Sequence, residues 1–166
     1  ITKFLKEHKL NKVSLMGHSL GGALALQFAY HHPDKVKRLF LIDSAGVYGH
    51  ENILEVFWNL ILSQRTKEKL DILETVRMLI RVFGKPLLYL NLGWFAYKVD
   101  LQKEAKGVKV PTMILWGEKD KLTPVWQGQK LNALIKNSRL VIFNRASHDW
   151  IIHSPENFWN IIKHQE

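Results

Sequence analysis

Apolar residues follow two rhythms along this chain. Short apolar-rich runs at 13–16, 36–42, 112–116 and 139–143 have the length of buried strands. Around them, apolar positions recur at helical spacing. Residues 1–10 predict a helix with Phe4 and Leu5 on one side and lysines on the other. A second helix follows the first strand. It is apolar on several faces (Leu20, Leu24, Phe28, Ala23, Leu26, Tyr30), so it should be well buried, and it stops at His31-His32 before Pro33. A third helix is predicted from Thr123-Pro124 to about residue 136, with threonine as N-cap and proline at the first helical position. Ser154-Pro155-Glu156 opens a last helix by the same logic, with Phe158, Ile161 and Ile162 facing inward. Strand, helix, strand with short connections is a parallel crossover unit. The fold class is therefore α/β, with a parallel sheet of about four strands flanked by helices.

Between 47 and 97 the character changes. Ile53, Val56, Phe57, Leu60 and Ile61 recur at helical spacing, as do Leu73, Val76, Ile80 and Phe83. The stretch 86–97 is apolar and aromatic. Two or three amphipathic helices inserted after a strand's carboxyl end would lie over the sheet rim as a cap. The aromatic density (Phe57, Trp58, Phe83, Tyr89, Trp94, Phe95, Tyr97) suits either an apolar pocket lining or packing on the core, and the lining is favoured. The domain division is 1–46 and 98–166 for the α/β core and 47–97 for the helical cap.

Composition narrows the choices. The 166 residues are enough for one domain with a real core. Apolar residues at 46% and charged residues at 23% are ordinary for a soluble globular protein. With no cysteine there is no disulfide framework, thiol nucleophile or cysteine metal site, which fits a cytoplasmic protein. No stretch reaches the apolar length of a membrane helix. The net charge of +9 raises nucleic acid or an anionic membrane as partners. The lysines are scattered and no nucleic-acid motif appears, so a solvated surface is the better reading and neither partner is expected. The chain begins at Ile1, so a targeting segment could lie upstream.

Candidate chemistry sits where the first strand gives way to the second helix. Gly17-His18-Ser19-Leu20-Gly21 is a G-x-S-x-G pentapeptide, followed by Gly22. A serine on a sharp strand-to-helix turn is a nucleophile elbow, and the small residues at Gly17, Gly21 and Gly22 relieve its crowding. The alternative is a glycine-rich turn with an incidental serine. Serine needs a base, and the base needs an orienting carboxylate. Acidic residues and histidines follow the other strands: Asp43 after the second, Asp120 after the third, His148 and Asp149 after the fourth. In such sheets ligands bind at the carboxyl ends of strands. His31 and His32 are adjacent and do not share a helix face, so no metal site is read there.

The sequence resembles the α/β-hydrolase family, specifically its capped small-molecule hydrolases, over essentially the whole chain. The resemblance rests on Gly17-His18-Ser19-Leu20-Gly21-Gly22, on Val110-Pro111-Thr112 through Trp116-Gly117-Glu118-Lys119-Asp120, and on Ser147-His148 with Ser154-Pro155-Glu156-Asn157-Phe158 downstream. The order Ser19, Asp120, His148 is the order of that fold. The resemblance implies Ser19 as nucleophile, His148 as general base, Asp120 as orienting acid and the Leu20 backbone N–H as one oxyanion donor. Some family members draw the acid from the position of Asp43, but Asp120 matches the commoner motif. Asp149 adjoins the base as a loop residue, and His153 falls at a helix cap. His18 and Trp150 are candidate pocket residues. The implied activity is hydrolysis of small esters or other carbonyl compounds without metal or organic cofactor. Carbon–carbon bond hydrolases, amidases and acyltransferases share the scaffold, and a non-catalytic binding module is the alternative of a different class.

Two departures stand out. Ser147 occupies a position that is often glycine in the family. The family's sheet also has strands before the elbow strand, with a loop that supplies a second oxyanion donor, and this chain has no room for them. The chain is expected to be the carboxyl-terminal part of a longer hydrolase or a truncated product. The strand at 13–16 would then be an apolar edge, inviting self-association.

Overall fold

The computed structural model describes residues 1–47, 84–85, 87–88, 91, 94–95 and 98–163. Most of the predicted cap, 47–97, lies outside the described residues. Its aromatic side chains at Trp94 and Phe95 are described and are half exposed.

The described elements run α1 (Thr2–Glu7), β1 (Val13–His18), α2 (Leu20–His31), a 3-10 turn (Pro33–Lys35), β2 (Val36–Ile42), α3 (Gln102–Gly107), β3 (Thr112–Gly117), α4 (Val125–Leu134), β4 (Ser138–Phe143), α5 (Trp150–His153) and α6 (Pro155–Ile162). The four strands form one sheet in the order β1-β2-β3-β4, and every pairing is parallel.

Side chains alternate between two apolar layers, as a strand's period of two requires. Leu39 and Leu41 of β2 and Ile114 and Trp116 of β3 enter one cluster with Leu26 and Ala29 of α2, Ala105 of α3 and Leu131 of α4. Phe40, Ile42, Met113 and Leu115 enter the other, with Trp150 and the α6 residues Phe158, Ile161 and Ile162. Helices thus cover both faces of the middle strands. All six residues of β3 are buried, as a parallel strand at a sheet centre should be. β1 is different: Ser14 and Met16 are exposed, and no described strand pairs with its outer edge.

Several boundaries moved for physical reasons. β1 continues to His18 because Gly17 and His18 still pair with Leu41 and Ile42. α1 closes at Glu7: Lys9 takes a left-handed φ of 53°, and the Leu10 N–H returns to the Leu5 carbonyl at 2.9 Å. Within α1 only Leu5 is buried, while Phe4 is exposed and stacks on His8. α4 ends at Leu134 because Ile135 turns to extended backbone and buries its side chain. Its start also differs from expectation. Pro124, not Thr123, occupies the N-cap position, and no side chain caps the helix. The Thr123 hydroxyl is engaged elsewhere.

Candidate active site

The rim at the carboxyl ends of the strands collects the candidate residues. Ser19 stands between β1 and α2 with φ 54° and ψ −124°. A non-glycine residue there is strained, and such strain persists only where the surroundings hold it. Here backbone bonds hold it, the three shortest at 3.0 Å or less. The Ser19 N–H donates to Ile42 O at 3.0 Å, and the Ser19 carbonyl accepts from Gly22 N at 2.9 Å and Ala45 N at 3.0 Å. The turn works only with small neighbours: a Cβ on Gly17 would stand 2.6 Å from the Gly22 nitrogen. The Leu20 N–H opens α2, so the helix amino end faces the same rim as the serine.

Asp120 and His148 form a buried pair. Nδ1 of His148 lies 2.7 Å from Oδ2 of Asp120, with side-chain exposures of 7% and 0%. The carboxylate is fully provisioned. Its Oδ1 accepts from Leu122 N at 2.8 Å and Thr123 N at 3.0 Å, and its Oδ2 also accepts the Thr123 hydroxyl at 2.6 Å. Burial pushes the Asp120 carboxyl upward, but the His148 hydrogen bond and charge and the two Thr123 bonds outweigh it, so the acid is held below its usual range. Burial likewise disfavours charge on His148, yet the Asp120 bond and charge prevail and its pKa is raised.

The residue before Ser19 contacts His148. Nε2 of His18 donates to the His148 carbonyl at 2.9 Å, and the two rings lie 4.8 Å apart between centroids. Among the described residues no hydrogen bond joins the Ser19 hydroxyl to His148. Catalytic hydrogen bonds are often long in unliganded enzymes and tighten when substrate is bound.

The resemblance to known proteins accords with this layout. Residues 1–77 match the family described as the alpha/beta hydrolase fold. A 2-hydroxy-6-oxo-2,4-heptadienoate hydrolase of Pseudomonas putida is 27% identical over 86% of this chain and 59% of its own length. A pimeloyl-[acyl-carrier protein] methyl ester esterase of Vibrio vulnificus is 27% identical over 95% of this chain and 71% of its own. Among solved structures, a meta-cleavage product hydrolase from Pseudomonas fluorescens superposes with a TM-score of 0.76 at 20% identity, covering 96% of this chain and 66% of that one. The chain carries the α/β-hydrolase fold, and its first 77 residues match that family's model. It spans only 55% of the length of some curated relatives.

Within this α/β-hydrolase frame the remaining candidates find definite places. Asp43, the rival acid, is fully buried and makes no hydrogen bond to His148. Its Oδ1 accepts the Gly117 N–H at 2.7 Å, and its carbonyl accepts the Thr123 hydroxyl at 3.0 Å. It therefore ties the exit of β2 to the exit of β3. Burial, opposed by the Gly117 bond, pushes its carboxyl up to about 8. Its Oδ2 and Nε1 of Trp150 are buried and, among the described residues, lack a partner within hydrogen-bonding geometry. The indole is nonetheless close enough to favour the ionised carboxyl, so this is a long contact rather than isolation. Trp150 itself packs in the second apolar cluster, its ring 4.0 Å from that of Phe143. Asp149 is half-buried beside the base, and His153 is exposed at the end of α5. His18 is more than half buried, and burial lowers its pKa. Sequence reasoning missed Thr123, whose hydroxyl touches Asp120 and Asp43 and lies 3.3 Å from Nδ1 of His148. A polar residue three positions past the acid was the available signal, and it was assigned to a helix cap. Among the described residues, His18, His148 and Asp149 are the one group of three side chains close enough to share a metal ion. No helix among the described residues is long and apolar enough to cross a membrane.

Proposed function

We propose that this protein is a serine hydrolase working by acyl transfer on small ester-like or other carbonyl substrates. The observation that carries the reading is the buried 2.7 Å bond between His148 Nδ1 and Asp120 Oδ2, set at the same rim as a serine held at φ 54°. His148 Nε2 takes the hydroxyl proton as Ser19 Oγ attacks the carbonyl carbon, and the charge moves to the carbonyl oxygen. The Leu20 N–H at the start of α2 faces that developing charge. Collapse expels the leaving group, which takes the proton from His148. Water, deprotonated by the same nitrogen, then releases the acid from Ser19. Asp120 fixes the imidazole tautomer and offsets its positive charge. His18 forms the wall beside the serine, and Trp150 supports the rim from below. The 47–97 segment is the proposed cap, and a cytoplasmic setting suits a chain without cysteine.

The test is active-site labelling with a fluorophosphonate. Labelling is expected on Ser19, lost in Ser19→Ala and slowed on the order of 10³–10⁴-fold in Asp120→Asn, since the wrong tautomer is then favoured. A folded sample that stays unlabelled would favour a non-catalytic binding module. One relative's name favours a second reading, hydrolysis of a carbon–carbon bond flanked by carbonyls. Parallel turnover assays on an aryl ester and a vinylogous 1,5-diketone acid separate the two.

A further inference from the structure

The proposed chemistry uses one nitrogen of His148 and gives no reacting role to His18 or Asp149. One ligating atom from each of these three side chains lies within 4.8 Å of those of the other two. Their hydrogen bonds fix which atoms are free. His18 Nε2 is 2.9 Å from the His148 carbonyl oxygen, which can only accept, so the ring proton sits on Nε2. The Nδ1 lone pair of His18 is left open. His148 gives its Nδ1–H to Asp120 Oδ2, which leaves the Nε2 lone pair open. Each ring thus hands its other N–H to a backbone carbonyl or a carboxylate. Histidines that bind metals are oriented in this way. Asp149 follows His148 directly and is only half-buried, so its carboxylate can swing without disturbing the core.

We infer that His18 Nδ1, His148 Nε2 and the Asp149 carboxylate form a site for a divalent transition-metal ion, Zn²⁺ above all, whose occupancy switches the serine off. Two imidazoles and one carboxylate are a zinc donor set, with a fourth position left for water. Hard cations such as Mg²⁺ and Ca²⁺ prefer all-oxygen shells and are poorly served. Tetrahedral zinc with ligands at about 2.0–2.2 Å needs donor atoms about 3.3–3.6 Å apart, so the three side chains must draw closer together to seat the ion. The ion and the serine proton compete for one lone pair, that of His148 Nε2. This blocking half rests on the proposed function; the binding half does not.

Equilibrium dialysis of the full 166-residue chain against ZnCl₂ measures binding directly. One ion per chain is expected to bind at least tenfold more tightly to the wild type than to His18→Gln or to Asp149→Asn. A control with both His31→Gln and His32→Gln is expected to bind like the wild type. Melting curves check that each variant folds; should His18→Gln fail, the Asp149→Asn change in a loop carries the comparison. Unchanged binding in Asp149→Asn and in folded His18→Gln, or loss in the control alone, overturns the site. The second readout is fluorophosphonate labelling of Ser19, expected to fall at least tenfold at saturating Zn²⁺ and to return with EDTA. Labelling that proceeds unchanged on zinc-loaded protein overturns the switch. Zinc binding that follows His18 and Asp149 in a chain that never labels upholds the metal site and overturns the hydrolase reading.

Discussion

Thr123 has one hydroxyl proton and two acceptors for it, Asp120 Oδ2 at 2.6 Å and Asp43 O at 3.0 Å. The shorter bond goes to the ionised oxygen, as a charge-assisted bond should. Thr123→Val keeps the shape and removes the hydroxyl, leaving buried acceptors under-satisfied. The expected loss is about 1–3 kcal/mol in urea unfolding, with slower labelling of Ser19, while Thr123→Ser should recover most of both. Asp43 makes a different prediction. Its pKa is raised by burial to about 8, above the value in an unfolded chain. The folded state therefore binds more protons than the unfolded state between about pH 4 and 8, and the contribution of Asp43 to stability falls as pH rises across that window. His148 also loses stabilisation as pH rises through its raised pKa, while Asp120 loses its own only on acidification. Asp43→Asn removes the first of these and weakens the second, because the Asp43 charge also helps to raise the pKa of His148. The melting-temperature difference between wild type and Asp43→Asn should shift toward the variant from pH 5 to pH 8.5. A pH-independent difference would show that Asp43 is already ionised.

At the scale of elements, the strand exits carry the strain. Ser19, Asp43 and Arg145 all have positive φ, and each lies just past the carboxyl end of a strand. The glycines beside them make room. Gly117 sits under the carbonyls of Ala146 and Ser147, where a Cβ would come within 2.7 Å of each. A Cβ on Gly17 would meet the backbone of α2, which cannot yield as a flexible side chain could. Gly17→Ala is expected to lower the melting temperature by several degrees and to slow labelling of Ser19, whereas Gly21→Ala, with nothing within 4 Å of the added carbon, should be tolerated. Here the sequence was informative. The apolar run before Gly17 and the helix formers after it placed the elbow, and β2 was legible to the residue, because its buried run ends at a charge. α3 was not legible, because its six residues show one buried side chain, Ala105, and no periodic stripe. Thr123 was misplaced for a related reason. A threonine before a proline satisfies the local rule for a cap, and only the fold reveals that two carboxylate-bearing exits compete for its hydroxyl. The burial of Asp43 was hidden too, since an acid at a strand's end ordinarily reads as a solvent-facing loop residue.

Considered whole, the sheet has two unlike borders. Among the described residues neither β1 nor β4 has a strand partner on its outer edge, but β4 packs against helices of both layers, while β1 leaves a half-exposed Met16 on its open face. Unpaired edges promote association, and lysine is a common means of blunting them. Concentration-dependent self-association is expected in sedimentation velocity, reduced by Met16→Lys; a single monomeric species at all concentrations would argue that the edge is innocuous. A last feature concerns the stretch between the two halves of the core. Gly46 and Asp100 meet in a parallel bridge, and the Leu101 N–H donates to the Gly46 carbonyl at 2.8 Å. Departure and return thus share one doorway, about 5 Å wide. Whatever leaves through it can be exchanged as a cassette, its replacement linker needing only to turn around; if the proposed function holds, libraries grafted between these two residues are expected to alter substrate choice while Ser19, Asp120 and His148 stay unchanged.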